Sequence, residues 1–250
     1  MKTSIKLSII NVNYRSEQYL KKCLASVYKW SDSSLFEIIV VNNDLACDLS
    51  KLVEKYSEVS LFNAQKNIGF GAACNLGAKN AKGEILLFLN PDTQFLSDYV
   101  SELLDKFADS AENIGIIGPR LVTDDGKTQE WCAGKDVTIW QLIKNNLWII
   151  ESKKLWESQD KISADWVSGA ALAIKREIFS KIEGFDEKFF MYGEDMDLCR
   201  RVREAGFGVI YDPILTILHS CGKSRESWIK QKIQFYKSSV YYLLKKHKSA

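Results

Sequence analysis

The stretch at residues 84–93, Glu-Ile-Leu-Leu-Phe-Leu-Asn-Pro-Asp-Thr, constrains the fold more than any other part of the chain. Residues 85–89 form an apolar run that is too short for a buried helix and typical of a strand covered on both faces. Pro91 lacks a backbone N–H and has a fixed φ, so the strand should end before it. Asn90 and Asp92 are therefore predicted just beyond the carboxyl end of a central strand, where open α/β sheets bind ligands.

This stretch alone leaves two interpretations of Asp92 open. A carboxylate is a hard oxygen ligand that suits Mg²⁺ or Mn²⁺, with phosphate oxygens completing the coordination. Alternatively, Asp92 closes a turn or caps the next helix, since aspartate is common at both places.

Composition limits the class of protein. The 250 residues are 46% hydrophobic, enough for a full core, and the net charge of +2 gives no overall attraction to nucleic acid. The six cysteines form no C-x-x-C pair and lie at no zinc-ligand spacing from a histidine, which favours reduced thiols in a cytosolic protein. The N-terminal apolar run is interrupted by asparagines, so no signal peptide is predicted, and no later stretch is apolar enough to predict a spanning helix.

The N-terminal third alternates between strand and helix patterns. Apolar runs at residues 7–12, 36–41 and 59–62 read as strands, and residues 17–30 and 49–56 carry helical spacing. This order predicts a parallel sheet with right-handed crossovers.

A glycine-containing loop, Asn67-Ile68-Gly69-Phe70-Gly71, precedes a helix of small residues predicted at 72–81. It could bring backbone N–H groups to a phosphate or serve only as a turn, and it is not a P-loop because no Gly-Lys-Ser/Thr follows. At residues 184–198 carboxylates are interleaved with aromatic residues, so Asp195 either acts as a base near a hydroxyl or simply favours the helix N-terminus. His219 follows a strand pattern and is either structural or a ligand.

Three motifs in this order resemble those of the family 2 inverting glycosyltransferases of the GT-A fold. The likeness is strongest to bacterial rhamnosyltransferases of surface-polysaccharide synthesis, and it extends over nearly the whole chain. The motifs are Asn67-x-Gly69-Phe70-(x)₄-Asn75, Leu89-Asn90-Pro91-Asp92-Thr93 and Phe185-Asp186-Glu187-x-Phe189-Phe190-Met191-Tyr192-x-Glu194-Asp195-x-Asp197-Leu198.

The resemblance implies an α/β fold with a Rossmann-like, mostly parallel central sheet flanked by helices and a C-terminal amphipathic helix. It implies a single domain over residues 1–250. Within it, residues 1–118 would bind the nucleotide sugar, residues 119–222 would bind the acceptor, and residues 223–250 would form a basic C-terminal helix.

The resemblance also implies the roles of individual residues. Asp92 and His219 would hold Mn²⁺ or Mg²⁺, Asp195 would be the catalytic base, and Glu194 would assist it. The loop beside the donor sugar and the acceptor would comprise Trp166, Gly169 and Ala170. The nucleotide sugar would be bound by Asn13, Tyr14, Asn42, Asn67, Gly69, Asn75 and Asn90.

Two residues depart from the family pattern. Asn42 stands where an aspartate is usual, although an amide can still pair with a pyrimidine edge through its oxygen and NH₂ group. Arg15 replaces a common asparagine.

The implied activity is transfer of a sugar, with rhamnose as the first choice, from a nucleoside-diphosphate sugar to a hydroxyl of a glycan or polyprenyl-linked acceptor. The setting would be bacterial polysaccharide synthesis, such as that of O-antigen, in the cytoplasm or on the cytoplasmic face of the inner membrane. Two alternatives stay open. A nucleotidyltransferase should carry a glycine-rich basic loop after the first strand, which Asn13-Tyr14-Arg15-Ser16 is not. A catalytically inactive binding subunit would not need Asp92 and Asp195.

The C-terminal segment at residues 226–250 carries an apolar stripe with helical spacing among many basic residues. Such a helix can lie on an anionic membrane or pack on the domain with a solvated basic face. The stripe comprises Ile229, Ile233, Tyr236, Val240, Leu243 and Leu244.

Overall fold

The computed structural model describes residues 5–56, 59–109, 113–136, 138, 152–220 and 228–248. The strands are β1 (Leu7–Asn13), β2 (Phe36–Asn42), β3 (Val59–Asn63), β4 (Ile85–Leu89), β5 (Thr93–Phe95), β6 (Ile114–Val122), β7 (Ala133–Gly134), β8 (Ile162–Ser163), β9 (Trp166–Val167), β10 (Ala171–Lys175) and β11 (Gly208–His219). The helices are α1 (Glu17–Trp30), α2 (Ser50–Val53), α3 (Phe70–Lys79), α4 (Tyr99–Ala108), α5 (Lys153–Trp156), α6 (Arg176–Lys181), α7 (Glu194–Glu204) and α8 (Trp228–Lys248).

A mixed, mostly parallel sheet forms the centre of the molecule. Over the described ranges it has nine strands in the order β3-β2-β1-β4-β10-β6-β11-β5, with β8 pairing separately on β11. β10, β5 and β8 run antiparallel to their neighbours, and the other strands are parallel to one another. The predicted parallel β-α-β-α-β arrangement at the N-terminus is confirmed.

β4 is buried along its whole length and lies between β1 and β10. It ends at Leu89, as predicted, and the chain then turns through residues 90–93. Thr93 closes this turn because both its N–H and its hydroxyl donate to the carbonyl of Asn90. The Asp92 carboxylate is therefore not what closes the turn, and the next helix, α4, is capped by Asp98 instead.

Some boundaries differ from the sequence pattern for identifiable reasons. The helix predicted at 49–56 is only the single turn of α2. β11 is one long strand instead of two, with an irregularity in its pairing between Asp212 and Thr216, around Pro213. The short strand β5 was not predicted, because three residues carry too little pattern.

α8 packs on the domain through polar and aromatic contacts. The Ser238 hydroxyl donates to the Met191 carbonyl at 2.8 Å, and the Tyr241 hydroxyl donates to Asp186 at 2.9 Å. Tyr242 is almost fully buried. Residues 221–227, including the beginning of the predicted basic segment and Cys221, lie outside the described residues, as do Trp140 and Trp148.

The other five cysteines, which the structure does describe, are free thiols. No helix within the described ranges is both long and apolar enough to span a bilayer.

Candidate active site

A cavity of about 730 Å³ opens at the carboxyl ends of β1 and β4. The order of strands reverses between these two, which is where open α/β sheets form ligand crevices. The predicted site residues that line the cavity are Tyr14, Asn67, Gly69, Asn90, Asp92, Trp166, Gly169, Ala170, Glu194, Asp195 and His219.

One wall of the cavity carries Asp92 and His219. They come together because β5 pairs with β11, placing His219 opposite Thr93. His219 Nε2 lies 3.3 Å from Asp92 Oδ1, and Nδ1 lies 2.6 Å from Gln129 Oε1. If Gln129 Oε1 accepts a hydrogen bond from Nδ1–H, the Nε2 lone pair faces Asp92 and the cavity.

These two side chains suit a divalent ion. An imidazole nitrogen and a carboxylate oxygen are both ligands of Mn²⁺, and the Gln129 contact is of the kind that orients metal-binding histidines. No cluster of three or more His, Cys, Asp or Glu side chains with metal-site geometry occurs in the described part of the chain. An ion bound here would therefore need further oxygens from a ligand such as a diphosphate.

Asp195 lies in the first turn of α7, on another wall of the same cavity. Its Oδ2 accepts the Gly169 N–H at 2.9 Å and its Oδ1 accepts the Met196 N–H at 2.8 Å. Desolvation raises the pKa of Asp195 above its ordinary value, and the two backbone N–H groups oppose that rise. Such a carboxylate is oriented by the backbone and suited to accept a proton.

Glu194 is buried beside Asp195 and differs from it in its contacts. Within the described structure its Oε2 has no hydrogen-bond partner. Burial, and secondarily the charge of Asp195, raise the pKa of Glu194 well above its ordinary value. Burial therefore raises the pKa of both adjacent carboxyls, and for Glu194 the charge of Asp195 adds to the rise.

Asp197, the third acid of this segment, has a structural role. It is fully buried and pairs with Arg200 and Arg201 on its own helix and with Lys245 of α8. A simple preference for the helix N-terminus therefore explains neither Asp195, which faces the cavity, nor Asp197, which joins two helices.

The glycine-containing loop at residues 67–71 is fixed against residues 184–198, called here the acidic and aromatic segment. Gly69 has φ +88°, and a Cβ there would lie 2.6 Å from the Phe190 carbonyl oxygen, which accepts the Phe70 N–H. The Asn43 amide donates to both Asn67 Oδ1 and the Gly69 carbonyl. Asn43 lines the cavity and was not predicted as a site residue, although it directly follows the end of β2.

Three of the residues expected to bind the nucleotide sugar do not line the cavity. The buried Asn13 donates to Asn42 Oδ1, and Asn42 donates to Asn63 Oδ1, so the amides link the ends of β1, β2 and β3. Asn75 donates to the Phe185 carbonyl and accepts its N–H. In this structure the amide groups of the three residues are engaged by the protein itself, and their direct contact with a nucleotide sugar stays a prediction.

Arg15, which departs from the family pattern, lines the cavity next to Tyr14. Its φ is +55°, in the left-handed region that asparagine tolerates better than arginine. Its guanidinium lies 5.1 Å from the centre of the Tyr14 ring.

Aromatic side chains outside the set of predicted site residues also line the cavity. Trp131 has φ +63° and is partly exposed, and Phe190 and Tyr192 come from the acidic and aromatic segment. α8 adds Phe235 and Tyr236. Residues distant in sequence meet here, so no local pattern could have predicted the group.

Comparison with known proteins gives two matching family models. The model described as Glycosyl transferase family 2 matches residues 8–182, and that described as N-terminal domain of galactosyltransferase matches residues 155–219. Among curated proteins, the chain is 25% identical to the N-acetylglucosaminyl-diphospho-decaprenol L-rhamnosyltransferase of Mycobacterium tuberculosis, covering 96% of this chain and 85% of that one. It is also 25% identical to the rhamnosyltransferase WbbL of Escherichia coli, covering 95% and 92%.

Solved structures share the fold at low identity. A mannosyltransferase from Pyrobaculum calidifontis in complex with GDP-Man and Mn²⁺ superposes with a TM-score of 0.68 at 16% identity, covering 97% of this chain and 64% of that one. GalNAc-T7 with UDP, GalNAc and Mn²⁺ gives a TM-score of 0.66 at 16% identity, covering 88% and 44%.

Proposed function

The chain belongs to glycosyltransferase family 2, and from this premise we propose that it transfers rhamnose from a nucleoside-diphosphate sugar to a hydroxyl of a lipid-linked glycan, with inversion at the anomeric carbon. The observation that supports this most directly is one cavity with Asp92 and His219 on one wall and Asp195 on another. The two rhamnosyltransferases that the chain resembles along nearly their whole length support the choice of sugar.

Each group has a distinct role in the proposed reaction. Asp92 and His219 would hold Mn²⁺ or Mg²⁺ against the diphosphate of the donor. A bound divalent ion would supply charge neutralisation at the leaving group, so that no general acid is needed. Tyr14, Asn67 and Asn90, from the loops after β1, β3 and β4, would contact the nucleotide sugar.

Asp195 is the base in this scheme. It accepts the proton of the acceptor hydroxyl as that oxygen bonds to the anomeric carbon, and the bond from this carbon to the diphosphate breaks on the opposite face. Gly169 holds the base through its N–H, and Trp166 and Ala170 complete the loop beside it. A single base and a good leaving group suffice for inversion, whereas a retaining enzyme would need a nucleophile.

The acceptor is proposed to be carried on a polyprenyl diphosphate, as the name of the mycobacterial relative indicates for that enzyme. The protein would then act at the cytoplasmic surface of a membrane. Residues 1–118 would supply most donor contacts and residues 119–222 most acceptor contacts.

A screen of nucleoside-diphosphate sugars that includes rhamnose donors tests this function. Release of nucleoside diphosphate that requires both a lipid-linked acceptor and Mn²⁺ or Mg²⁺ is expected. Release of pyrophosphate from a nucleoside triphosphate and a sugar 1-phosphate, without turnover of any nucleotide sugar, would instead indicate a nucleotidyltransferase. Nucleotide-sugar binding without turnover for any acceptor would indicate a binding subunit.

A further inference from the structure

α8 has two faces of different character. Its inner face packs on the domain and contributes Gln231, Phe235 and Ser239 to the cavity wall. Its outer face carries apolar side chains at the i, i+4, i+7, i+11 and i+15 positions, which lie in one line along a helix. These side chains, between 42% and 61% exposed, are Ile229, Ile233, Tyr236, Val240 and Leu244.

The apolar side chains of the outer face do not pack on the domain. The domain contacts are made by Ser238, Tyr241, Tyr242 and Lys245, on the other side of the helix. Apolar side chains normally stabilise a protein by being buried, and this stripe leaves five of them exposed over four helical turns. A contiguous exposed apolar stripe of this kind is typical of an interaction surface.

Charge identifies the kind of partner. α8 contains lysines but neither aspartate nor glutamate. Lys245 and Lys246 turn inward to Asp186, Asp197 and Asp136. At 100° per residue, Lys230 and Lys237 border the stripe on one side and Lys232 borders it on the other, and all three are exposed.

We propose that the outer face of α8 docks on an anionic lipid bilayer, which places the cavity beside the membrane surface. Aliphatic side chains would enter the boundary between headgroups and acyl chains, and the flanking lysines would contact lipid phosphates. A second copy of the chain fits less well, because pairing two such faces would bring lysine rows of like charge together.

The geometry also connects the membrane to the cavity. Tyr236 belongs to the outer stripe and lines the cavity, and Phe235, 41% exposed, lies next to it. An acceptor whose lipid stays in the bilayer could therefore present its glycan to Asp195 along α8. The choice of such an acceptor rests on the proposed function, whereas docking itself rests on the exposed face and its charges.

Co-sedimentation of the whole protein with vesicles tests the docking without donor or acceptor. Vesicles of phosphatidylcholine mixed with phosphatidylglycerol should bind the protein, more weakly as salt rises, and vesicles of phosphatidylcholine alone should bind it much less. Each of Lys230→Gln and Lys237→Gln should weaken binding about five-fold. The double variant Ile233→Ser, Val240→Ser should weaken it roughly ten-fold or more.

Matched variants elsewhere serve as controls. Lys51→Gln and Lys55→Gln remove exposed lysines, and Ile214→Ser removes an apolar side chain that is 65% exposed. They should bind vesicles as the parent does. All variants should keep the parental unfolding temperature and nucleotide affinity, because none of these residues lines the cavity.

Failure of the parent to bind anionic vesicles, or equal binding by Ile233→Ser, Val240→Ser, would overturn the proposal. So would equal binding to neutral and anionic vesicles. If the parent forms a dimer in solution and the double variant is monomeric, the face binds a second copy of the chain instead. If the protein binds vesicles normally but releases no nucleoside diphosphate from any sugar donor, the proposed function fails and the docking surface stands.

Discussion

His219 Nε2 lies 3.3 Å from Asp92 Oδ1 although the two residues are 127 positions apart, because the β5–β11 pairing puts His219 directly opposite Thr93. On the far side of the imidazole, Gln129 contacts Nδ1 at 2.6 Å. This chain of contacts gives the proposed metal site an orientation that a lone histidine would lack.

Removing the Asp92 carboxylate should therefore abolish the effect of Mn²⁺ on nucleotide binding. Asp92→Asn should lose this effect, and Gln129→Leu should lower metal affinity by about 10- to 100-fold, the usual scale for a group that orients a ligand. Gln129→Glu keeps an oxygen that can accept the hydrogen bond from Nδ1–H, so this variant should retain most of the metal affinity. Calorimetric titration of Mn²⁺ in the presence of nucleoside diphosphate measures these affinities, and parental Mn²⁺ affinity in Asp92→Asn would rule out the assignment.

The loop at Gly69 provides a test of how α3 is held. Gly69→Ala combines a strained positive φ with a Cβ 2.6 Å from the Phe190 carbonyl oxygen, whereas Gly126, with φ +78°, has nothing within 4 Å of that position. Gly126→Ala should cost about 1 kcal/mol and Gly69→Ala about 2–4 kcal/mol. Urea unfolding of both variants measures the difference, and equal losses would show that the close approach to Phe190 contributes nothing.

Glu194 should make stability depend on pH. Burial, together with the charge of Asp195, raises its pKa from 4.5 to about 8. The folded state thus binds its proton more tightly than the unfolded state, so this contribution is complete below about pH 4.5 and is lost as pH rises through 8. Glu194→Gln is neutral throughout and should become progressively more stable than the parent over this range.

Urea unfolding at stepped pH measures this difference, with Glu54→Gln on an exposed glutamate as the control. The control should follow the parental profile at every pH. A Glu194→Gln profile parallel to that of the parent would mean that folding does not raise the pKa of Glu194.

The sequence supported the parts of the fold that follow from local pattern and the family resemblance. The run at residues 85–89 and the stop at Pro91 correctly placed a central strand and its end, and the family and the GT-A fold inferred from three motifs are confirmed. Which amides face the cavity was not predictable, because Asn13 and Asn42 are engaged by a neighbouring strand that only the sheet register brings alongside.

For the C-terminal helix, too, only part of the structure was predictable from the sequence. Its stripe and its basic character were both visible in the sequence, and the helix does pack on the domain. Packing through the face opposite the stripe was not predictable, because it depends on Asp136, Asp186 and Asp197, which lie far from α8 along the chain.

Lys245 should matter more for stability than an exposed lysine of the same helix. It contacts both Asp186 and the fully buried Asp197. Lys245→Met should cost about 1–3 kcal/mol, less than for an isolated buried pair because Asp197 keeps Arg200 and Arg201. The exposed Lys237→Met should change stability by less than about 0.5 kcal/mol. Thermal and urea unfolding measure both, and equal effects would contradict the packing of α8 on α7.

Turnover should depend on Asp195, the proposed base. Asp195→Asn keeps the size of the side chain and one acceptor for the Gly169 N–H, but it cannot take a proton from the acceptor hydroxyl. Turnover should fall by about 10²-fold or more with near-normal donor affinity, and Glu194→Gln should reduce it less. Transfer rate and donor affinity are measured for both variants after a folding check. Parental turnover in Asp195→Asn would eliminate it as the base, and abolished turnover in Glu194→Gln alone would move the base to Glu194.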